Sequence, residues 1–281
     1  MRRDDQSGVI LINVLVILAL ASAVLVGMIR VADLAISRSQ TFADAARAEA
    51  LIAGGEASAI AVLQRDMTKA PSTDNLTENW AAIAQAETAV EGGSFSLTIA
   101  DAQRRFDLNS LRDAGGIAPQ ILTRIAVRLG LPEDAVPRIL ARMAAPAPLR
   151  RIDDLVADAG LATDQVTALQ KVVTLLPVRA DVNINTAPDD LLFALSDNPV
   201  QARGLIALRR LKGALTSVDM AAVQLVLLPG TGYTSRLFEV AVTVRIGEVR
   251  ISSTSLLLRR IGAAGRPEVV VIERRRGTGG I

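Results

Sequence analysis

The 281-residue sequence contains no cysteine and no histidine. Without cysteine there are no disulfides, thiol nucleophiles or thiolate metal sites. Without histidine there is no imidazole base, no histidine-ligated zinc and no Ser-His-Asp triad. Aromatic residues make up 2% of the chain and apolar residues 50%, so a core must be built from Ala, Val, Leu and Ile. The formal net charge of +2 is too small to demand a polyanionic partner. The chemistry left open is that of carboxylate pairs, a Ser-Lys pair or an oxygen-ligated metal. Lys69 and Lys171 stand outside any Ser-x-x-Lys pattern, and no EF-hand loop spacing occurs. The acid pairs Asp153-Asp154 and Asp189-Asp190 each fit the first turn of a helix. The residues therefore supply no catalytic, cofactor-binding or metal-binding set, and no enzyme is expected.

What the chain does have is one long apolar run. Val9 to Ile29 carries no charge, and Asn13 and Ser22 are its only distinctly polar side chains. As a helix it is about 31 Å long, matching a hydrocarbon core of roughly 30 Å. It exceeds the h-region of a secretory signal, and the small-residue stretch Ala19 to Ala23 lies inside it, so a retained anchor is expected. Arg2 and Arg3 precede the run, which places the N-terminus in the cytoplasm and the rest of the chain outside it. Apolar residues then recur at helical spacing through Val31, Leu34, Phe42, Leu51, Ile52, Ile60 and Leu63. One helix is expected over the first sixty or so residues, with Gly54-Gly55 as its weak point.

Ser7-Gly8-Val9, followed at once by the apolar run, resembles the processing site of type IV pilins and type II secretion pseudopilins. The resemblance implies a cytoplasmic leader over residues 1–8, cleavage after Gly8 by a prepilin peptidase, and a methylated mature N-terminus at Val9. The family usually carries Glu at the fifth mature position, which is Asn13 here, and minor pseudopilin K of type II secretion is the member that lacks it. In the other members that carboxylate offsets a neighbour's N-terminal ammonium, and a charge in hydrocarbon is costly unless paired. Asn13 makes no such offer, which fits a subunit at the tip of a fibre.

Beyond the helix, residues 67–100 read as a connection with a helix over Glu78 to Val90 around Trp80, then a half-buried strand over Ser94 to Ala100. The segment Asp101 to Leu111 resembles the pseudopilin K family, where such a segment closes the first strand. Residues 101–229 read as helical: Pro119 to Leu129, Pro132 to Met143, Ile152 to Ala159 and Asp164 to Thr174 are periodic. Val182 to Leu192, with Asn183, Asn185, Thr186 and Ala187, matches another signature of that family. Thr186 is placed as an N-cap, with Asp189 completing a capping box. After Pro229 the pattern alternates: Leu237 to Ile246, a Gly247-Glu248 turn, Val249 to Leu258 and Glu268 to Glu273 read as strands.

The expected fold is α+β, with a pilin-like long N-terminal helix packed on a small antiparallel sheet and a large inserted all-α domain. The expected divisions are leader 1–8, transmembrane half 9–29, periplasmic half 30–66, connection and first strand 67–100, insertion 101–229, C-terminal strands 230–274 and a flexible tail 275–281. The resemblance implies a pseudopilus-tip subunit in the inner membrane, single-pass, with its soluble part in the periplasm. Its implied partners are the other minor pseudopilins, the major pseudopilin, the prepilin peptidase and the inner-membrane secretion platform. Family members can also bind calcium through acidic groups, but no ligand set matches residue by residue here, and no cofactor is assigned. The alternative is a membrane-anchored DNA-binding or uptake receptor, because residues 182–212 resemble a helix-hairpin-helix module. Against it, the hairpin Leu195 to Val200 has no glycine and carries Asp197, which repels phosphate.

Overall fold

The structure is a computed structural model that describes residues 4–113, 116–196, 198–222, 230–263 and 265–278. Its first element, α1, spans Asp4–Lys69 without interruption and is about 99 Å long. Every residue from Leu11 to Ala43 is exposed. From there one stripe turns inward: Ala48, Ile52, Gly55, Ala59 and Leu63 are buried at steps of three and four residues, the spacing of a single helical face.

That face lies on a five-stranded antiparallel sheet. Its strands are β1 (Ala84–Val90), β2 (Gly93–Asp101), β3 (Leu237–Ile246), β4 (Val249–Ile261) and β5 (Pro267–Thr278), arranged in chain order. Two-residue hairpins join β1 to β2 and β3 to β4. Gly92 (φ 80°) and Gly247 (φ 52°) supply the left-handed backbone these turns need. Alternate β3 residues Phe238, Val240, Val242, Val244 and Ile246 are buried with the helix stripe and Trp80 in one apolar cluster.

α1 runs through Gly54-Gly55 without a break. Gly55 sits where helix and sheet touch, and a Cβ there would lie 3.1 Å from the Phe95 ring and 3.2 Å from Val242. Gly54 faces open space. Gly55 is thus a contact position on the sheet-facing side of α1, and Gly54 is not.

The chain leaves the sheet at Asp101 and re-enters it at Leu237. Between these points lie α2 (Ala118–Arg128), α3 (Ala135–Ala144), α4 (Leu155–Asp158), α5 (Thr163–Gln170), α6 (Asp189–Leu195), α7 (Pro199–Lys212) and α8 (Ser217–Ala222). They enclose a second core that includes Leu122, Ile125, Ile139, Leu155, Leu169 and Leu191. The insertion is not purely helical. Phe106–Asp107 pairs in parallel with Val173–Thr174, and Val182–Asn183 with Thr231–Gly232. The helix expected over residues 164–174 therefore ends at Gln170, and residues 231–232 belong with the insertion, not with the C-terminal strands.

Two further expectations change. Residues 78–90 are not a helix: turns precede the strand β1. Trp80 is buried edge-on against Phe238, with ring centroids 5.0 Å apart, and its indole N–H donates to Glu78 at 2.6 Å. The expected tail from residue 275 continues as β5 to Thr278. Arg274 pairs with Glu56 and Arg276 with Glu49, both on α1. Residues 1–3, Asp197, 223–229 and 279–281, which share the expected leader, hairpin, insertion end and tail, lie outside the described residues.

The two glycines separate in a stability measurement on the full-length protein in detergent. Gly54→Ala is expected to stabilise by about 1 kcal/mol, the helix-propensity difference. Gly55→Leu is expected to destabilise by about 1–3 kcal/mol through overpacking against Phe95 and Val242. Equal effects in urea unfolding would contradict the face assignment.

Candidate functional site

The expected processing and assembly positions all lie on α1: Gly8, Val9 and Asn13 fall within its span, and Asn13 is exposed. Among the described residues α1 is the one helix long and apolar enough to cross a membrane, and none of its apolar window is buried. Val31, Leu34, Ile36 and Phe42 continue the exposure past the apolar run, Phe42 at 76%. This half of the helix has no partner within its own described chain.

The two family-like segments, 101–111 and 182–192, meet in a buried polar joint between sheet and insertion. Asp101 ends β2 with a 2% exposed side chain. Its carboxylate accepts from Gln103 N–H (2.7 Å), Asn183 Nδ2 (3.0 Å), Thr186 Oγ1 (2.5 Å) and Ser235 Oγ (2.6 Å). Burial pushes this carboxyl above its usual range, and those four hydrogen bonds pull it back down. Gln103 donates to Asp181 O and accepts from the backbone N–H groups of Arg236 and Leu237. It thereby holds the point where the chain re-enters the sheet. Asn185 exchanges two hydrogen bonds with the backbone of Leu215, at 3.0 and 2.7 Å.

Thr186 is therefore not the N-cap expected of it. Pro188 precedes α6 with no side-chain cap, and the Thr186 hydroxyl is committed to Asp101. Asp189 is drawn instead to Arg209 and Arg210. Arg209 also donates to the carbonyls of Ile184 and Ala187, so α7 clamps the signature loop. Of the basic side chains on this face, Arg209 and Arg210 share the single carboxylate of Asp189, and Lys212 pairs with Asp219. Arg203 remains exposed.

The joint continues into α1 through Arg259, on β4 and 5% exposed. Its guanidinium bridges Asp74 and Asp66, the latter at 2.7 Å, and stacks 4.2 Å above the Phe238 ring. Asp74 also accepts from Ser235 N–H at 2.7 Å, and its carbonyl accepts from Asn183 Nδ2. Asp66, Asp74 and Glu78 bring three carboxylates within 4.8 Å of one another. They do not fit calcium, which takes six to eight oxygens. Arg259 already holds Asp66 and Asp74, and Glu78 accepts from Asn75 Nδ2 and Trp80 Nε1.

Sequence reasoning marked Asp101 only as part of a family-like segment and did not find Asp74 or Arg259. Apart from Gln103 beside Asp101, the side-chain partners of the three lie 82 to 193 residues away.

Burial raises Asp74 to about 6 against the pull of Arg259, and raises Glu78 to about 7, helped by the charges of Asp66 and Asp74. Both folded values lie above the unfolded ones, so the folded protein keeps protons the unfolded chain has lost. Stability is then expected to fall as pH rises from about 4.5 to 7. The urea midpoint should be higher at pH 5 than at pH 8, and Glu78→Gln should flatten much of that slope. A midpoint that climbs across this window would contradict the charge assignment.

No family model matches the chain. Two curated relatives do, almost end to end. Type II secretion system protein K of Pseudomonas aeruginosa is 29% identical, covering 99% of this chain and 95% of the relative. The Klebsiella pneumoniae protein of the same name is 27% identical, covering 97% of each. In fold, the chain matches a chain of the crystal structure of the GspK-GspI-GspJ complex from enterotoxigenic Escherichia coli. The TM-score is 0.63 at 19% identity, over 86% of this chain and 100% of the other. The long helix, the antiparallel sheet and the helical insertion are thus a shared architecture, and over nearly its whole length the chain is a relative of the type II secretion system K proteins.

Proposed function

We propose that the protein is a minor pseudopilin of a type II secretion machine. It sits at the tip of a short periplasmic pseudopilus, nucleates assembly of that fibre and supports protein secretion across the outer membrane. The observation that carries this reading is the end-to-end similarity to K proteins. The role is structural, not enzymatic.

The geometry supports it in two ways. The first half of α1 is apolar, exposed and without an internal partner, as an element shared with lipid and with neighbouring helices must be. The insertion is attached beside the C-terminal end of α1, where Asp66 meets Arg259 and Asp74 meets the joint. At the tip of a fibre, an insertion joined at that end of the helix would obstruct a subunit added above it. On this reading the N-terminus is cytoplasmic and the sheet and insertion are periplasmic. The partners are the minor pseudopilins corresponding to those in the GspK-GspI-GspJ complex, the major pseudopilin, the prepilin peptidase and the inner-membrane platform.

Mass spectrometry of the mature N-terminus tests the reading directly. An N-methylated Val9 is expected, and an intact Met1 or a cut near Ala19 to Ala23 would sink it. In a crosslinking map of the assembled fibre, Asn13 is expected to have no Val9 ammonium of another subunit beside it.

A further inference from the structure

Asp66, Asp74 and Glu78 gather more negative charge at the end of α1 than the cation beside them can balance. Oxygens of the three carboxylates lie within 4.8 Å of one another. Arg259 is packed among them, and its two Nη atoms are taken by Asp66 and Asp74. Glu78 receives neutral donors: Asn75 Nδ2 on Oε1 and the Trp80 indole on Oε2, each at 2.6 Å. Arg65 and Lys69, the other cations near this end of α1, are exposed, and Arg65 Nε donates to the Ala61 carbonyl of its own helix. On the far side of Asp74 stand Ser235, Asn183 and, one hydrogen bond further on, Asp101, which bring no positive charge. The open carbonyls of the last turn of α1 add to the repulsion. One retained proton relieves it, and Glu78 is the group raised furthest, to about 7, by burial and then by the charges of Asp66 and Asp74.

The elements that meet at this cluster are not equally fixed. Arg259 lies in β4, an inner strand paired on both sides. Asp66 follows the wholly buried Leu63 on α1. Asp74 and Glu78 lie on the connection 70–83, which is built of turns, with Pro71, Ser72, Leu76 and Thr77 exposed. Trp80 anchors it to the sheet. Asp74 ties it to the insertion and its return: its N–H donates to the Tyr233 carbonyl at 2.9 Å, its own carbonyl accepts from Asn183, and its carboxylate accepts from Ser235 N–H. A segment held by so few contacts opens before the elements that flank it.

We propose that this cluster is a pH-operated latch. A proton held within it keeps the connection 70–83 closed against the end of α1 and against the insertion, and loss of that proton frees the connection while sheet and insertion stay folded. The proton is lost as pH rises through the folded value of Glu78, so the latch is closed on the acid side. The latch lies in the part of the chain outside the apolar run and does not rest on the secretion reading.

Trp80 is the single tryptophan of the chain, so its emission reports on Glu78 directly. The test titrates the full-length protein in detergent from pH 5 to pH 9 while reading that emission. Hydrogen exchange is followed in parallel at pH 6 and pH 8, corrected for the intrinsic rate. One emission transition near pH 7 is expected. The Asp74 and Ser235 amides are expected to lose protection by about tenfold, the factor that one pH unit above the folded value gives, while α2 and α3 keep theirs. In Glu78→Gln the transition is expected to vanish. Asp66→Asn keeps an oxygen for Arg259 and removes a repelling charge, so it is expected to move the transition to lower pH; it also guards against a misfolded Glu78 variant. A flat emission titration, a transition that stays in place in both variants, or protection lost equally in α2 and α3 would each overturn the proposal.

Discussion

Asp101 is a carboxylate buried among neutral donors, and the arrangement of the rest of the protein follows from how it is satisfied. An isolated charge in a protein interior is tolerated only when hydrogen bonds replace the lost water. Here the replacements come from three directions. Gln103 lies at the start of the insertion, Asn183 and Thr186 in its middle, and Ser235 at its return to the sheet. These segments are 52 to 134 residues apart in pairing, yet one side chain requires them all at once. Beside these hydrogen bonds lies an apolar cluster of Ala102, Leu176, Leu237 and Leu256, with Val178, Ala180 and Leu258 packed against it.

Asn183 carries the constraint onward. Its amide reaches Asp101, Ser235 and the Asp74 carbonyl together. Asp74 in turn holds Arg259, which reaches back to Asp66 on α1. A continuous chain of hydrogen bonds thus runs from the insertion past the ends of the sheet's inner strands to the long helix. The helix can leave its first half bare because its second half is fully committed: Leu63 and Ala59 are wholly buried, and Glu49 and Glu56 are tied to β5.

Much of this was legible in the sequence wherever the determining interactions are local. The span from Val9 to Ile29, the periodic helices around Ile121 and Ile139, and the alternating valines of β3 are patterns of neighbouring residues. The Gly247-Glu248 hairpin is written in the turn chemistry itself. The misreadings share one cause. Residues 84–90 have a composition a helix accepts, but pairing with β2 across a two-residue turn decides the matter. Thr186 has the spacing of a cap, but a carboxylate 85 residues earlier takes its hydroxyl. Arg276 looks like part of a loose end until Glu49, more than 200 residues earlier, comes beneath it. The family-like segments at 101–111 and 182–192 could be recognised as signatures. Their meaning as the two halves of one joint appears only when the chain is folded.

The central claim is that Asp101 couples the insertion to the helix-bearing sheet as one unit. Hydrogen exchange on Asp101→Asn tests it most directly, because the substitution keeps shape while replacing an acceptor oxygen with a donor that faces other donors. The account predicts faster exchange on both sides of the joint, in β3 and in the 182–195 segment, with α2 and α3 protected as before. Exchange that changes on one side only, or on neither, would contradict it.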